Sequence, residues 1–216
     1  MINPLSLPDL PWRECEFNPN DPVSTERMQG RRTEMVTFGT PWWTATFSTN
    51  FLEPQQYGAA DAFTMKAGAR GAFLGYDVFR PRPIAYDNGR PLALVKAAGG
   101  PFTGDASLSQ IIDSRTVMVS GLPAGFTLIE GDYVAFSMTA LKRSLHRVMQ
   151  VAVANSAGVA TLSILFPLDL QHFTLASAVH FEKPSTVMMI DPGSLSAPKG
   201  WNNRSVTFSA TEMFFS

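Results

Sequence analysis

The chain has 216 residues, of which 45% are hydrophobic and 16% charged, and its formal net charge is −1. That length suits one large domain or two small ones, and the near-neutral balance argues against both the basic footprint of a nucleic-acid binder and an acidic tail. An average globular chain is about 25% charged, so a surface this poor in charge is expected to be covered in part by partners.

Cys15 is the single cysteine, so neither an intrachain disulfide nor a cysteine-based metal site can form. The start, MINPLSLPDLPW, lacks the basic opening and apolar run of a signal peptide. No stretch reaches the roughly 18 uninterrupted apolar residues of a membrane helix. The expectation is a chain made in a cytoplasm, with no membrane partner.

In chain order, residues 1–30 carry Pro4, Pro8, Pro11, Pro19 and Pro22. Prolines at that density disrupt both helices and sheet ladders, which predicts an extended arm anchored by Trp12 and Phe17. From Thr33 the pattern alternates through Phe38, turns at Gly39-Thr40-Pro41, and alternates again through Trp43, Ala45 and Phe47. Two alternating runs about a turn predict a hairpin. Trp42 and Trp43 are neighbours, so a strand sends them to opposite faces. One suits the core, and the other a second layer or a contact.

Pro54 opens a helical stretch to residue 67, and Gly68 suits its C-terminal cap. Residues 72–80 read as a strand stopped by Pro81 and Pro83. Residues 81–110 are rich in turn chemistry, including Asp87-Asn88-Gly89 and Gly99-Gly100-Pro101, and mark a boundary. Strands are predicted over 115–120, 132–138, 144–154, 159–166, 178–182 and 185–190. A second loop, 191–203, precedes an alternating segment in which Val206, Phe208, Ala210 and Glu212 share one side.

A lone closing strand must pair with something, and the first sheet is short of strands. The predicted fold is therefore mainly β. It has a discontinuous β-sandwich-like belt domain, residues 31–95 and 203–216, with one short helix. An inserted small β-barrel or sandwich domain covers 111–190, and 96–110 and 191–202 are linkers. On that organisation, excising 111–190 leaves a folded remainder. One continuous sandwich is the alternative.

No catalytic pattern emerges. His146, His172 and His180 form no H-x-H or H-E-x-x-H pair, and the alternation around His146 allows it to face solvent. There is no G-x-S-x-G elbow and no phosphate-binding glycine pattern. Asp105, Asp113, Glu130 and Asp132 can be paired only by the fold, and Gly131-Asp132 reads as a turn. Arg70, Arg80, Arg82 and Arg90 are a loose basic group, either solvated at strand ends or facing an acidic neighbour. No cofactor, metal or enzymatic activity is expected. The candidate assembly residues are Trp12, Trp42, Arg70, Arg80 and Arg82.

The element order resembles the distal tail (tail hub) proteins of siphophages: a strand, a turn, a Trp-Trp strand, a short helix, the strand at Gly71-Ala72-Phe73, an inserted β domain and a closing strand with Glu212. The middle segment is similar to a pattern of phage tail and baseplate proteins, through Ile129, Gly131, Asp132, Gly158, Ala160, Leu162 and Pro167. The resemblance covers roughly residues 31–216. It implies a virion protein at the tail tip that forms a ring, with six copies, below the tail tube. Its partners would then be itself, the tail tube protein, the tape measure protein and the tip or receptor-binding proteins, with no specific nucleic acid. A carbohydrate-binding or adhesin module is the alternative, and a β-fold hydrolase a more distant third.

Overall fold

The computed structural model describes residues 3–28, 30–68, 71–201 and 203–214. The elements, in order, are β1 (Leu5–Ser6), β2 (Trp12–Asn20), β3 (Val23–Arg27), β4 (Thr33–Thr37), β5 (Trp42–Thr49), α1 (Pro54–Gly68), β6 (Phe73–Gly75), β7 (Leu94–Val95), β8 (Pro101–Phe102), β9 (Asp105–Asp113), β10 (Thr116–Ser120), β11 (Thr127–Leu128), β12 (Tyr133–Ser137), β13 (Arg143–Arg147), β14 (Ala152–Val153), β15 (Val159–Ser163), β16 (Ala178–His180), β17 (Thr186–Ile190) and β18 (Thr207–Glu212). The chain is mainly β, as its alternation predicts.

The first sheet runs β1-β6-β17-β18-β5-β2. Strict alternation in β5 and β18 puts Trp43, Ala45, Phe47, Phe208, Ala210 and Glu212 on one buried face. Helix α1 covers that face with Ala60, Phe63, Thr64 and Ala67, a stripe at the spacing of one helical side. Phe63 meets Phe73 at 5.4 Å and Phe208 at 6.1 Å between ring centroids. The helix begins at Pro54, where a missing N–H costs nothing, and the Gln56 side chain accepts the Glu53 N–H at 3.0 Å, half of a capping box.

Residues 1–30 are not a free arm. β2 pairs with β5 over its whole length, and β1 lies parallel to β6. Pro19 is tolerated because β2 is the outer strand, where one missing donor leaves no ladder bond unmade. Phe17 and Trp12 pack on the core of the same chain. The hairpin partner of Thr33–Thr37 is Val23–Arg27, not β5, since both edges of β5 are already occupied by β2 and β18. Two further boundaries differ from expectation. β17 lies inside the first sheet, between β6 and β18, and β9 belongs to the second sheet instead of a linker. Apolar runs such as Thr186–Ile190 suit either core, so periodicity could not assign them.

The second sheet runs β13-β12-β16-β9-β10-β15. It curls so that its ends meet at the Val148–Ile164 bridge, flanked by Met149 N–H to Ser163 O at 2.8 Å and Leu165 N–H to Arg147 O at 3.2 Å. The result is a small barrel filled by Phe102, Phe126, Phe136, Val179, Phe181 and their neighbours. The seam closes only at that end. Beside Arg143–Leu145, β13 has no second strand partner among the described residues; there Leu145 O accepts the Trp43 indole N–H at 2.8 Å and Arg143 Nε donates to Ser185 O at 3.3 Å.

The barrel is welded to the first sheet. Tyr133, Ala135 and Leu145, on the outer face of β12 and β13, belong to the same buried cluster as Phe17, Trp43 and Phe47. Arg147 donates through Nη2 to Phe17 O at 3.0 Å and to the Tyr133 hydroxyl at 2.8 Å. Its guanidinium lies 5.5 Å from the Trp43 ring and 5.0 Å from the Tyr133 ring.

Phe47 is fully buried among Trp12, Phe17, Phe73 and Phe208. Phe47→Ala is expected to destabilise the chain by about 3–5 kcal/mol in denaturant unfolding. Excising 111–190 would remove β17 from the middle of the first sheet and strip Tyr133, Ala135 and Leu145 from its core. The shortened chain is therefore expected to lack a cooperative unfolding transition by circular dichroism, contrary to the outcome that the sequence-based boundaries imply.

Candidate functional site

Of the five candidate assembly residues, four lie among the described residues, and Trp12, Arg80 and Arg82 serve the chain's own interior. Trp12 packs on Phe47 at 5.6 Å and on Phe208 at 6.4 Å, roofing the first core. Trp42 is half-buried on the face of β5 opposite Trp43 and pairs in register with Asn20. Arg70 lies outside the described residues. Arg80 donates to Gly131 O at 2.7 Å and covers the Tyr133 ring at 5.1 Å.

Arg82 is a correction. Its side chain is only 7% exposed, and it binds Glu182 at 2.8 and 3.2 Å and Asp87 at 3.0 Å. The hydrogen bond to Glu182 raises its pKa above the usual arginine value. Breaking such a pair would strand a buried charge, so Arg82 is an internal brace and not a contact for a neighbour. Arg80 and Arg82 are both turned to groups of their own chain.

Gly131-Asp132 is a turn. Gly131 takes φ +87°, and buried Asp132 accepts the Ile129 N–H at 2.8 Å and the Ile84 N–H at 3.0 Å. Burial raises its pKa against the pull of those bonds. His146 does not face solvent. It sits under Phe136 and shares a 2.8 Å hydrogen bond with Ser144, and burial lowers its pKa to about 4, so it is neutral at pH 7. Burial also pushes the Cys15 thiol up to about 12, which leaves no thiolate for nucleophilic chemistry.

One polar row was invisible in the sequence. His180 stands between Asp105 (Nδ1 to Oδ1, 2.7 Å) and Ser137 (Nε2 to Oγ, 2.7 Å). The three residues lie on three strands, and only the register, His180 opposite both Asp105 and Ala135, aligns them. The order matches the hydrogen-bond relay of acyl-transfer triads. Ser137, however, lies within the ladder between Arg143 and Ala178, so its N–H is not presented to an oxyanion. The Asp105 carboxylate is 68% exposed, where solvent screens it. The row ties three strands together on the outside of the barrel.

A cavity of about 400 Å³ lies between the end of the first sheet and the seam of the barrel. Trp43, Leu145, Phe166 and Phe173 give it an apolar lining, with Lys142 and Glu212 among its polar groups. Ligand pockets are typically about 300–1,000 Å³ and mostly apolar with few polar groups, and this one fits that description. Glu212 reaches it because strand alternation turns residue 212 inward with Phe208 and Ala210. Its carboxylate accepts the Trp43 N–H at 2.9 Å and the Thr186 hydroxyl. Burial outweighs both bonds and raises its pKa from 4.5 to about 7. Among the described residues, no group of three or more His, Cys, Asp or Glu side chains is placed to hold a metal ion.

The raised carboxyl predicts a pH signature. The folded state holds the Glu212 proton more tightly than the unfolded chain does. Its contribution to stability is therefore complete below about pH 4.5 and is lost as the pH rises towards about 7. Glu212→Gln keeps the shape and an acceptor for Trp43 without titrating. Urea unfolding at several pH values should show the variant gaining on the wild type across that window, by up to about 3 kcal/mol. A difference that stays constant with pH would mean that Glu212 ionises at its ordinary value. In comparison with known proteins, the chain matches no family model and no curated protein, so its function has to be read from this geometry.

Proposed function

We propose that the protein is a non-enzymatic structural subunit of a phage tail tip, of the distal tail type, that works by assembling into a closed ring. In the virion, that ring joins the tail tube to the tip and receptor-binding proteins. The observation that carries this reading is the β3–β4 ribbon. It is a separate two-stranded sheet whose residues are exposed almost throughout. Met35 and Phe38 are each 69% exposed, and Met28 and Val36 are exposed as well. An isolated hairpin is marginal in water, and apolar side chains on a protruding ribbon mark a surface that another protein covers.

Glu26 and Glu34 stand directly opposite each other on the ribbon. Like charges so placed repel, and the same ribbon also carries Arg27, Arg31 and Arg32, so it presents both signs of charge together with its apolar side chains. A contact between two different patches of one chain propagates from copy to copy, and a closed ring is how it ends without making a fibre. The resemblance to tail hubs supports six copies. Low overall charge, the welded two-part body and the bracing role of the interior arginines all suit a rigid building block.

A variant in which an Asn-Gly turn replaces residues 22–38 tests this. The Pro22 O to Phe38 N–H bond, 3.1 Å, shows that the ribbon's ends are close enough for such a turn. The variant should unfold at the wild-type midpoint yet stay monomeric in light scattering where the wild type forms a closed oligomer. A wild type that stays monomeric at millimolar concentration would overturn the ring.

A further inference from the structure

We propose that the cavity between β5, β13 and β18 binds a small amphipathic carboxylate, whose apolar chain fills the cavity and whose acid head is held by Lys142 and Arg143. This site goes beyond the assembly reading above and does not require it.

The lining offers an apolar chain more than it offers a hydrated ion. Trp43 and Leu145 line the cavity from β5 and β13, and the Trp43 indole N–H is already spent on Leu145 O at 2.8 Å. Phe166 and Phe173 line it from the segment between β15 and β16. Ligand sites combine such a lining with a few placed polar groups that fix orientation. Burying a hydrocarbon chain there is favourable, whereas a bare inorganic anion would give up its water for little return.

Charge selects the head group. Arg143 is half-buried, and its Nε donates to Ser185 O at 3.3 Å. Among the described residues, neither Nη of Arg143 has a hydrogen-bond partner, and neither Arg143 nor Lys142 forms an ion pair. Burial lowers the Arg143 pKa, opposed in part by the charge of Asp105, which is itself exposed and bonded to His180. A guanidinium drawn out of water without a carboxylate of its own is a site for one. The carboxyls at the cavity do not fill that role: Asp169 is bonded to His172 at 2.6 Å, and Glu212 to Trp43 and Thr186. Burial keeps Glu212 mostly uncharged below about 7 and His146 mostly uncharged above about 4. An ammonium-headed ligand would therefore meet two cations and find no free carboxylate.

The two cations are placed before any ligand arrives. Thr139 Oγ1 accepts the Leu141 N–H at 3.3 Å and the Lys142 N–H at 3.0 Å, which braces the turn between β12 and β13. The Met138 N–H donates to Lys142 O at 3.0 Å, and Arg143 pairs in register with Ser137. Lys142 and Arg143 thus stand side by side on a fixed turn, and preorganised groups bind at a smaller entropic cost.

The probe is decanoate below its micelle concentration, titrated calorimetrically into the full-length chain at about pH 6, where Glu212 is mostly protonated. One site per chain is expected, with decyltrimethylammonium at least about tenfold weaker and acetate, which lacks the apolar chain, giving no heat. Arg143→Gln and Lys142→Gln should each weaken decanoate about tenfold while moving decyltrimethylammonium by less than about threefold. Lys142 makes no side-chain bond among the described residues, so Lys142→Gln should unfold at the wild-type midpoint and carries the test if Arg143→Gln does not fold. A nitroxide-labelled decanoate should broaden the methyl resonances of Leu145 more than those of Leu108, inside the barrel. Equal affinity for the two head groups, undiminished decanoate binding by Lys142→Gln, or no binding up to millimolar decanoate would each overturn the site, and none of them bears on the ring.

Discussion

Trp43 is the contact on which the rest of the structure depends. Its ring lies 5.4 Å from Phe17 and 5.8 Å from Tyr133, so one side chain joins the outer strand of the first sheet to the wall of the barrel. Its indole N–H satisfies Leu145 O, and its backbone N–H is held by Glu212. An aromatic side chain combines a large apolar area with one polar tip, and here the tip holds the barrel at the place where its seam is open. Arg147 then seals the junction from the solvent side by stacking on both Trp43 and Tyr133.

That weld makes the chain a two-part rigid body whose parts share a core. The insertion is therefore topological and not energetic. The chain leaves the first sheet after β6 and returns to it with β17, yet the barrel supplies Tyr133, Ala135 and Leu145 to the first core. A shared core resists relative motion of its parts more than a polar domain interface does. Rigidity of this kind would suit the proposed ring, because a small angular error accumulates around a closed assembly.

Features that look like chemistry are mostly architecture. Arg82, Asp132 and the Asp105–His180–Ser137 row each satisfy buried or strand-bound polar groups. Among the described residues, the Nε of Arg147 is buried without a partner, and at the surface the outer edges of the β3–β4 ribbon pair with no other strand. Unpaired strand edges are liabilities that proteins blunt or use, and among the described residues no element covers those of the ribbon.

Much of this was legible in the chain. Strict two-residue alternation in Trp43–Phe47 and Val206–Glu212 determined which side chains are buried, because a strand has only two faces. Pro54 and the stripe Ala60, Phe63, Thr64, Ala67 determined the helix. The single cysteine determined that no intrachain disulfide holds the fold. Only the tertiary structure decided the pairing partners. Alternation states that a strand has a buried face, not which strand lies beside it, so Thr33–Thr37 paired with Val23–Arg27, Trp12–Asn20 became an outer strand instead of an arm, and Thr186–Ile190 joined the first sheet. The cavity, the raised carboxyl of Glu212 and the three-strand polar row follow from those pairings. Each depends on residues far apart in the chain being brought within a few ångströms, and local periodicity carries no information about contacts of that range.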